Sequence, residues 1–311
     1  MTEPLKKLTL RLPGSTTNLG PGFDTLGLAL SVYTTVTFER LGQKRAAGQN
    51  LITLKGEAAQ SLPATEDNLI FKQFCQNYSG PTDDIVISIE TDIPLARGLG
   101  SSSTAILAAL WAAQAFSSSA PPDREQILAS AARLEGHPDN VAACLLGGFI
   151  VSGYRQKGNR AICQRLSWPE QWRTLVVVPP YELSTQEARR VLPRRVSMGQ
   201  AVKNLQRTGL LIAATVTQDD DTLREALLDE LHEPYRIHLV PELQALRRDL
   251  ISLPVLGCVL SGAGSSSLVI VHERHLDEVK SYLHSWATKR EQKPQVLDLS
   301  VDTKGLQATY E

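Results

Sequence analysis

Hydrophobic and polar residues alternate through "KLTLRLPGS", which predicts a strand ending in a turn at Pro13-Gly14. "VYTTVTFERL" reads as a second strand, rich in β-branched and aromatic residues, and "NLITL" and "DIVISIETDIP" as further strands. The period then changes. "DNLIFKQFCQNY" predicts a short helix capped by Asp67 or Asn68, and "DREQILASAARLEG" an amphipathic helix stopped by Gly136. Between them, Ala105 to Phe116 is apolar nearly all round, the mark of a buried helix, with Ser101, Ser102 and Ser103 at its N-cap and first turn. "DNVAACLLGGFIVSGY" gives a helix, a break at Gly147-Gly148 and a strand. From Arg155 to Trp172 the chain is polar and loop-like, with Gly158, Asn159 and Pro169, and a boundary there separates domains 1–168 and 169–311. The second half reads as a strand in "TLVVVPP" and a short helix in "STQEARRVLP" capped by Ser184. Mostly helical sequence follows over 195–250. "PVLGCVLSGAGSSSLVIVHE" is a strand, a glycine turn and a strand, "HLDEVKSYLHSWATKR" a helix, and "PQVLDLSVDTKG" begins a last strand. Strands and helices mix without strict alternation, so both halves are expected to be α+β.

Composition narrows the class. The 311 residues suffice for two domains, and a net charge of −1 gives no support for a nucleic-acid partner. Cys75, Cys144, Cys163 and Cys258 lack Cys-x-x-Cys spacing and read as reduced thiols. No apolar run reaches the roughly 18–20 residues of a membrane span, and "MTEPLKKLTLRL" has no leader-like apolar core. The expectation is a cytoplasmic protein without a membrane partner.

Candidate chemistry lies in the glycines. "PGSTTNLGPGFDTLGLAL", "PLARGLGSSST" and "LSGAGSSS" stand far apart, each between regular elements and each bringing small or hydroxylated residues. One such segment is ordinarily a turn; three suggest loops converging on a phosphate-bearing ligand. The second feeds a helix whose first amides are unpaired and partially positive, a natural anion seat, although a capped core helix explains that segment equally well. It is neither a Walker A loop nor a dinucleotide fingerprint. "LEGHPDNVA" packs Glu135, His137, Asp139 and Asn140 together; a helix stop and a capped helix start account for Gly136 and Asp139 but leave Glu135 and His137 unused.

These segments, in this order, resemble the GHMP kinases (galactokinase, homoserine kinase, mevalonate kinase and phosphomevalonate kinase). "PLARGLGSSST" is similar to their phosphate loop and "LSGAG" to their C-terminal glycine loop. "GSTTNLGPGFDTLGLAL", "GHPDNVA", "STQEARRVLP" and "DELHEPYR" resemble the branch acting on homoserine, and the match runs from about Leu10 to Gly264. The resemblance implies an N-terminal ATP-binding domain of the ribosomal S5 type with a left-handed crossover, and a ferredoxin-like C-terminal domain. The implied reaction is ATP-dependent phosphorylation of the side-chain hydroxyl of L-homoserine, on the route to threonine, in a chain that can form a homodimer. It further implies that Pro94, Leu95, Ala96, Arg97, Gly98, Leu99, Gly100, Ser101, Ser102, Ser103 and Thr104 wrap the triphosphate. Ser102 and Glu135 would bind Mg²⁺, and Asn68 would line the adenine pocket. Asn18, Asp24, His137 and Asp139 would face the substrate hydroxyl and amino group as the catalytic set. Arg189 and Arg236 would hold its carboxylate, and Gly262 would approach the ligands. Ser15 stands where mevalonate kinases carry a lysine, which argues against a mevalonate- or shikimate-type substrate; retained Ser102, Glu135 and Asp139 argue against a non-catalytic metabolite sensor. Ser265-Ser266 replaces the family's usual Pro-Thr, a slight change of the turn.

Overall fold

A computed structural model describes residues 5–46, 48–157 and 160–311. Gly158 and Asn159 of the expected boundary loop, and the first four residues of the leader-free N-terminal reading, lie outside them. The elements follow in chain order: β1 (Lys7–Asn18), β2 (Gly22–Arg40), β3 (Ile52–Lys55), α1 (Leu69–Asn77), β4 (Ile85–Thr91), α2 (Ser101–Ser117), α3 (Arg124–Glu135), α4 (Asp139–Leu146), β5 (Phe149–Tyr154) and β6 (Ala161–Leu166). Then come β7 (Trp172–Val178), α5 (Thr185–Arg190), α6 (Met198–Thr217), α7 (Asp220–Ala226), α8 (Glu233–Arg236), α9 (Pro241–Asp249), β8 (Val255–Leu260), β9 (Ser267–His272), α10 (Leu276–Thr288), β10 (Gln295–Leu299) and β11 (Gln307–Tyr310).

Two sheets organise the chain. The first has the order β11-β1-β2-β4-β3, with β5 and β6 continuing from β2, and its parallel pair β3·β4 is joined through α1. The second has the order β10-β7-β9-β8 with every pair antiparallel, and helices follow β7 and β9. That β-α-β-β-α-β succession is the ferredoxin-like arrangement. The fold is therefore α+β in both halves, as expected.

Three apolar clusters hold the layers. The apolar helix α2 is buried from Ile106 to Ala113 between the first sheet and α1, α3 and α4. A second cluster joins the two sheets, bringing Leu26, Leu28 and Leu30 of β2 against Trp172, Val176 and Ile270. The third lies under α9 and α10 and includes Leu246, Leu260 and Trp286. Burying whole Leu, Ile or Trp side chains contributes about 1.5–3 kcal/mol each, so the middle cluster fixes how one half sits on the other.

Four local expectations change. The strand does not turn at Pro13-Gly14. It runs on to Asn18 through a bulge, where Pro13 pairs with Tyr33 and Gly14 with Leu30. A bulge tolerates proline's missing donor, and Gly14 fits because a Cβ would stand 2.8 Å from Val32. The first glycine segment is consequently two strands and a tight tip over 19–21, not a loop. The cap of α2 is Gly100, in the left-handed region, and the serines begin the helix proper. In the stretch read as boundary loop, residues 161–166 form β6, a half-exposed strand paired with β5, with Ala161 and Cys163 against the first cluster.

Candidate active site

The three glycine segments meet. Ser261 Oγ reaches both Thr16 Oγ1 (2.8 Å) and the Gly98 carbonyl (2.7 Å). Gly262 N donates to Thr17 O at 3.1 Å, and Asn18 Nδ2 donates to Gly262 O at 2.7 Å. A Cβ on Gly98 would lie 2.1 Å from the Ser261 carbonyl, so only glycine lets the loops interlock. Ser15 is fully buried beneath Gly100 and bonds Asn140 Oδ1 at 2.9 Å. A Cβ on Gly100 would stand 2.2 Å from its Oγ, which leaves no room for a lysine side chain there. Beside this junction opens a cavity of about 430 Å³, within the usual range for small-molecule sites.

At one end lies the mouth of α2. The N–H groups from Gly98 to Ser103 find no acceptor among the described residues, and Gly98, Gly100, Ser101 and Ser102 line the cavity. Unpaired amides at the positive end of a 17-residue helix form an anion seat. Ser102 Oγ donates to Glu135 Oε2 at 3.1 Å, placing two hard oxygen donors beside that seat. Burial pushes the Glu135 carboxyl above its ordinary value, with His137 and the Ser102 hydrogen bond pulling the other way. Of the remaining loop residues, Leu95, Ala96 and Thr104 also line the cavity, whereas Arg97 turns to the Pro179 and Pro180 carbonyls. Asn68 caps α1, its Oδ1 accepting from Ile70 N (2.9 Å) and its Nδ2 donating to Pro63 O (2.8 Å). It stands in the cavity wall with both ends of its amide engaged.

At the other end the charged side chains hold one another. Arg189 forks onto Asp24, with Nη1 to Oδ2 at 3.0 Å and Nη2 to Oδ1 at 2.6 Å. His137 Nδ1 lies 2.5 Å from Asp139 Oδ1, which also accepts from Asn140 N at 2.8 Å. Asp139 is thus the first residue of α4 rather than its cap, which is Pro138. Burial alone would lower the His137 pKa, but the Asp139 hydrogen bond and the charges of Asp139, Asp24 and Glu135 outweigh it and hold the imidazole above its ordinary value. Ligating atoms of Asp24, His137 and Asp139 fall within 4.8 Å of one another. Arg236 is fully enclosed, donating from Nε to Ala188 O (3.0 Å) and from Nη1 to Gly262 O (3.3 Å). Desolvation first, and then the neighbouring Arg189 charge, lower its pKa to about 10.

The positions that bring these groups together are unusual. Asn18 and Asp24 have φ of 70° and 55°, flanking the tip that begins at Leu19 and Gly20. A non-glycine residue in this region carries strain, which packing around it must hold. Asp24 N donates to Asn18 Oδ1 at 3.0 Å, closing the tip on itself. All the side chains expected to face an amino acid therefore border one cavity. Two further residues packed beside these groups escaped the reading of the sequence. Phe23 lies under both arginines, with guanidinium carbons 5.4 Å (Arg189) and 5.2 Å (Arg236) from its ring centre. His232 stacks on the same ring at 5.1 Å. Only the phrases "PGFDT" and "DELHEPYR" carried them, and neither spacing nor periodicity marks either residue.

Comparison with known proteins gives the family. The pattern described as GHMP kinases N terminal domain matches residues 68–148, and that described as GHMP kinases C terminal matches 211–288. The chain is 37% identical to the homoserine kinase of Nostoc sp., over 97% of this chain and 98% of the relative. It is 40% identical to that of Solibacter usitatus, over 96% of each. The chain belongs to the homoserine kinase family of the GHMP kinases. A solved structure from Listeria monocytogenes assigned as a homoserine kinase superposes with a TM-score of 0.77 at 27% identity, covering 98% of this chain and 100% of that one. As a GHMP kinase the chain is an ATP-dependent phosphotransferase acting on an alcohol. No helix among the described residues of the kinase is long and apolar enough to cross a membrane.

Proposed function

We propose that this chain transfers the γ-phosphoryl group of ATP to the side-chain hydroxyl of L-homoserine, releasing ADP and O-phospho-L-homoserine. The observation that carries the reading is the cavity's two unlike ends, free helix-mouth amides at one and paired carboxylates and guanidinium groups at the other. The first suits polyphosphate and the second a zwitterion, whose carboxylate matches a guanidinium fork. Domain 1–168 would supply the nucleotide seat, and 169–311 would bring Arg189 and Arg236.

Ser102 and Glu135 fit Mg²⁺, a hard cation that takes few protein oxygens beside phosphate. Bound there, Mg²⁺ would neutralise charge on the transferring group. The protein's own residues do the rest. The amides from Gly98 to Ser103 hold the phosphates in place, and Asn18, Asp24, His137 and Asp139 align the amino acid. The hydroxyl oxygen forms the new bond to phosphorus while the bond from phosphorus to the ADP oxygen breaks. The hydroxyl proton needs a destination. His137 has Nδ1 engaged by Asp139 Oδ1, and the surrounding carboxylates favour its charged form. Asp24 is tied to Arg189 by both oxygens. The proton therefore passes to a phosphate oxygen as the bond forms, which a loose transition state allows.

The test is ADP release with a panel of homoserine, mevalonate, shikimate, galactose and serine. Homoserine is expected to be far the fastest, and equal turnover of mevalonate or galactose would remove the substrate assignment. A His137→Gln variant should be slower yet keep the acidic limb of the kcat profile. Loss of that limb, with rescue by a small amine, would make His137 the base.

A further inference from the structure

His232 is fully buried between the substrate tip and the arginine that would bind a carboxylate, and it bonds to both. Its Nε2 lies 2.8 Å from the Gly20 carbonyl, at the tip between Asn18 and Asp24. Its Nδ1 lies 3.2 Å from Arg236 Nη1. A carbonyl only accepts and a guanidinium only donates, so the ring carries its proton on Nε2 and offers a lone pair at Nδ1. Asp229 does not compete for the ring: its Oδ2 is 3.7 Å from Nε2 and accepts instead from the backbone N–H groups of His232 and Glu233, both at 2.7 Å. The stacked Phe23 ring fixes the plane in which both bonds are made.

The tip has reason to need such a hold. Asn18, Leu19, Gly20 and Asp24 all have positive φ. A Cβ on Gly20 would lie 2.3 Å from the Leu227 carbonyl, so the tip is pressed against the second half of the chain. Pro21 O is gripped there by Asn204 Nδ2 (2.7 Å) and Thr208 Oγ1 (2.9 Å).

We propose that His232 is a positioning residue that locks two parts of the amino-acid site to each other: through Nε2–H it holds the tip carrying Asn18 and Asp24, and through Nδ1 it orients Arg236 toward the substrate carboxylate. It touches neither substrate nor nucleotide. The inference rests on the homoserine reading for the identity of the carboxylate, while the two bonds themselves do not depend on it.

The two bonds can be cut separately. In His232→Gln the side-chain amide can reach the Nε2 position and donate to Gly20 O, but nothing replaces Nδ1. In His232→Asn the shorter amide oxygen replaces Nδ1 and cannot reach Gly20. His232→Gln should raise the KM for homoserine about 10-fold or more, the loss of one oriented charged hydrogen bond, with kcat and the KM for ATP nearly unchanged. Turnover of 3-amino-1-propanol, the acceptor without a carboxylate, should be the same in this variant as in the wild type. His232→Asn should lower kcat for both acceptors, because the tip aligns the hydroxyl in each, and change the homoserine KM less. Equal kinetic losses in both variants, or losses that follow Tm alone, would reduce His232 to a packing residue and overturn the proposal. Failure of the wild-type protein to turn over homoserine would remove the substrate reading instead, and Asn and Gln variants assayed on the true acceptor would still separate the two bonds.

Discussion

At the α2 end of the cavity the donors are backbone amides with no acceptor among the described residues; at the other end the charged side chains already hold one another. The difference concerns what each ligand must displace. On the proposed reading a triphosphate would meet backbone amides that have no partner to give up among the described residues, and would exchange water for hydrogen bonds. An amino acid meets a closed set of pairs and must share or exchange them. Its ammonium would take part of the carboxylate charge of Asp24 or Asp139, and its carboxylate part of the donors of Arg189. A simple alcohol has no charges to exchange with those pairs, so it would gain none of the charged hydrogen bonds open to a zwitterion.

Glu135→Gln breaks the contrast most severely. It removes the only carboxylate hydrogen-bonded to a phosphate-loop side chain among the described residues. We expect kcat to fall about 10²–10³-fold, the size seen when charge stabilisation of a transition state is lost. Stability should move oppositely. Because the folded Glu135 pKa is raised, its contribution is present below the ordinary carboxyl value and lost as pH climbs through the folded one. The ligand-free variant should therefore melt slightly higher than the wild type at pH 8, by about 1–2 °C, and no higher at pH 4. An active variant with an unchanged melting curve would make Glu135 an ordinary helix-end residue.

The amino-acid end is probed next. Arg236→Leu should raise the KM for homoserine about 30- to 1000-fold, equivalent to about 2–4 kcal/mol, with little change for ATP. The exposed neighbour of Arg189 is the control: Arg190→Leu should leave both KM values alone. An effect of Arg236→Leu on ATP only would assign that arginine to the nucleotide.

The smallest effect is on stability against pH. The folded His137 pKa is raised, so the pair with Asp139 stabilises fully below the ordinary imidazole value of about 6.5 and is lost as pH rises through the folded value. Thermal melts should show Tm declining across this range, and His137→Gln should flatten that decline. Parallel curves would mean that the hydrogen bond survives deprotonation undiminished.

Much of this could be read before the coordinates. The periods of α1, α3 and α10, the apolar face-all-round of α2, and the cap at Ser184 are local signals, and local chemistry produced the elements. The meeting of three glycine segments was legible because glycine there serves close approach, and Gly98 against Ser261 is that approach. What stayed hidden depends on distant partners. Nothing in "PGST" distinguishes a turn from a bulged strand until Gly14 is opposite Leu30. Nothing in "STQEARR" says that Arg189 will fork onto a carboxylate 165 positions away. His232 and Phe23 belong to the same class, ordinary residues given a role by what folds against them.

Strand β11 pairs with β1 from Leu8↔Tyr310 to Arg11↔Gln307, although almost the whole chain separates them. During synthesis the outer edge of β1 waits uncovered until residues 307–310 have left the ribosome. An unpaired edge strand invites pairing with other chains. The nascent kinase thus carries an open seam until β11 emerges and sews it shut.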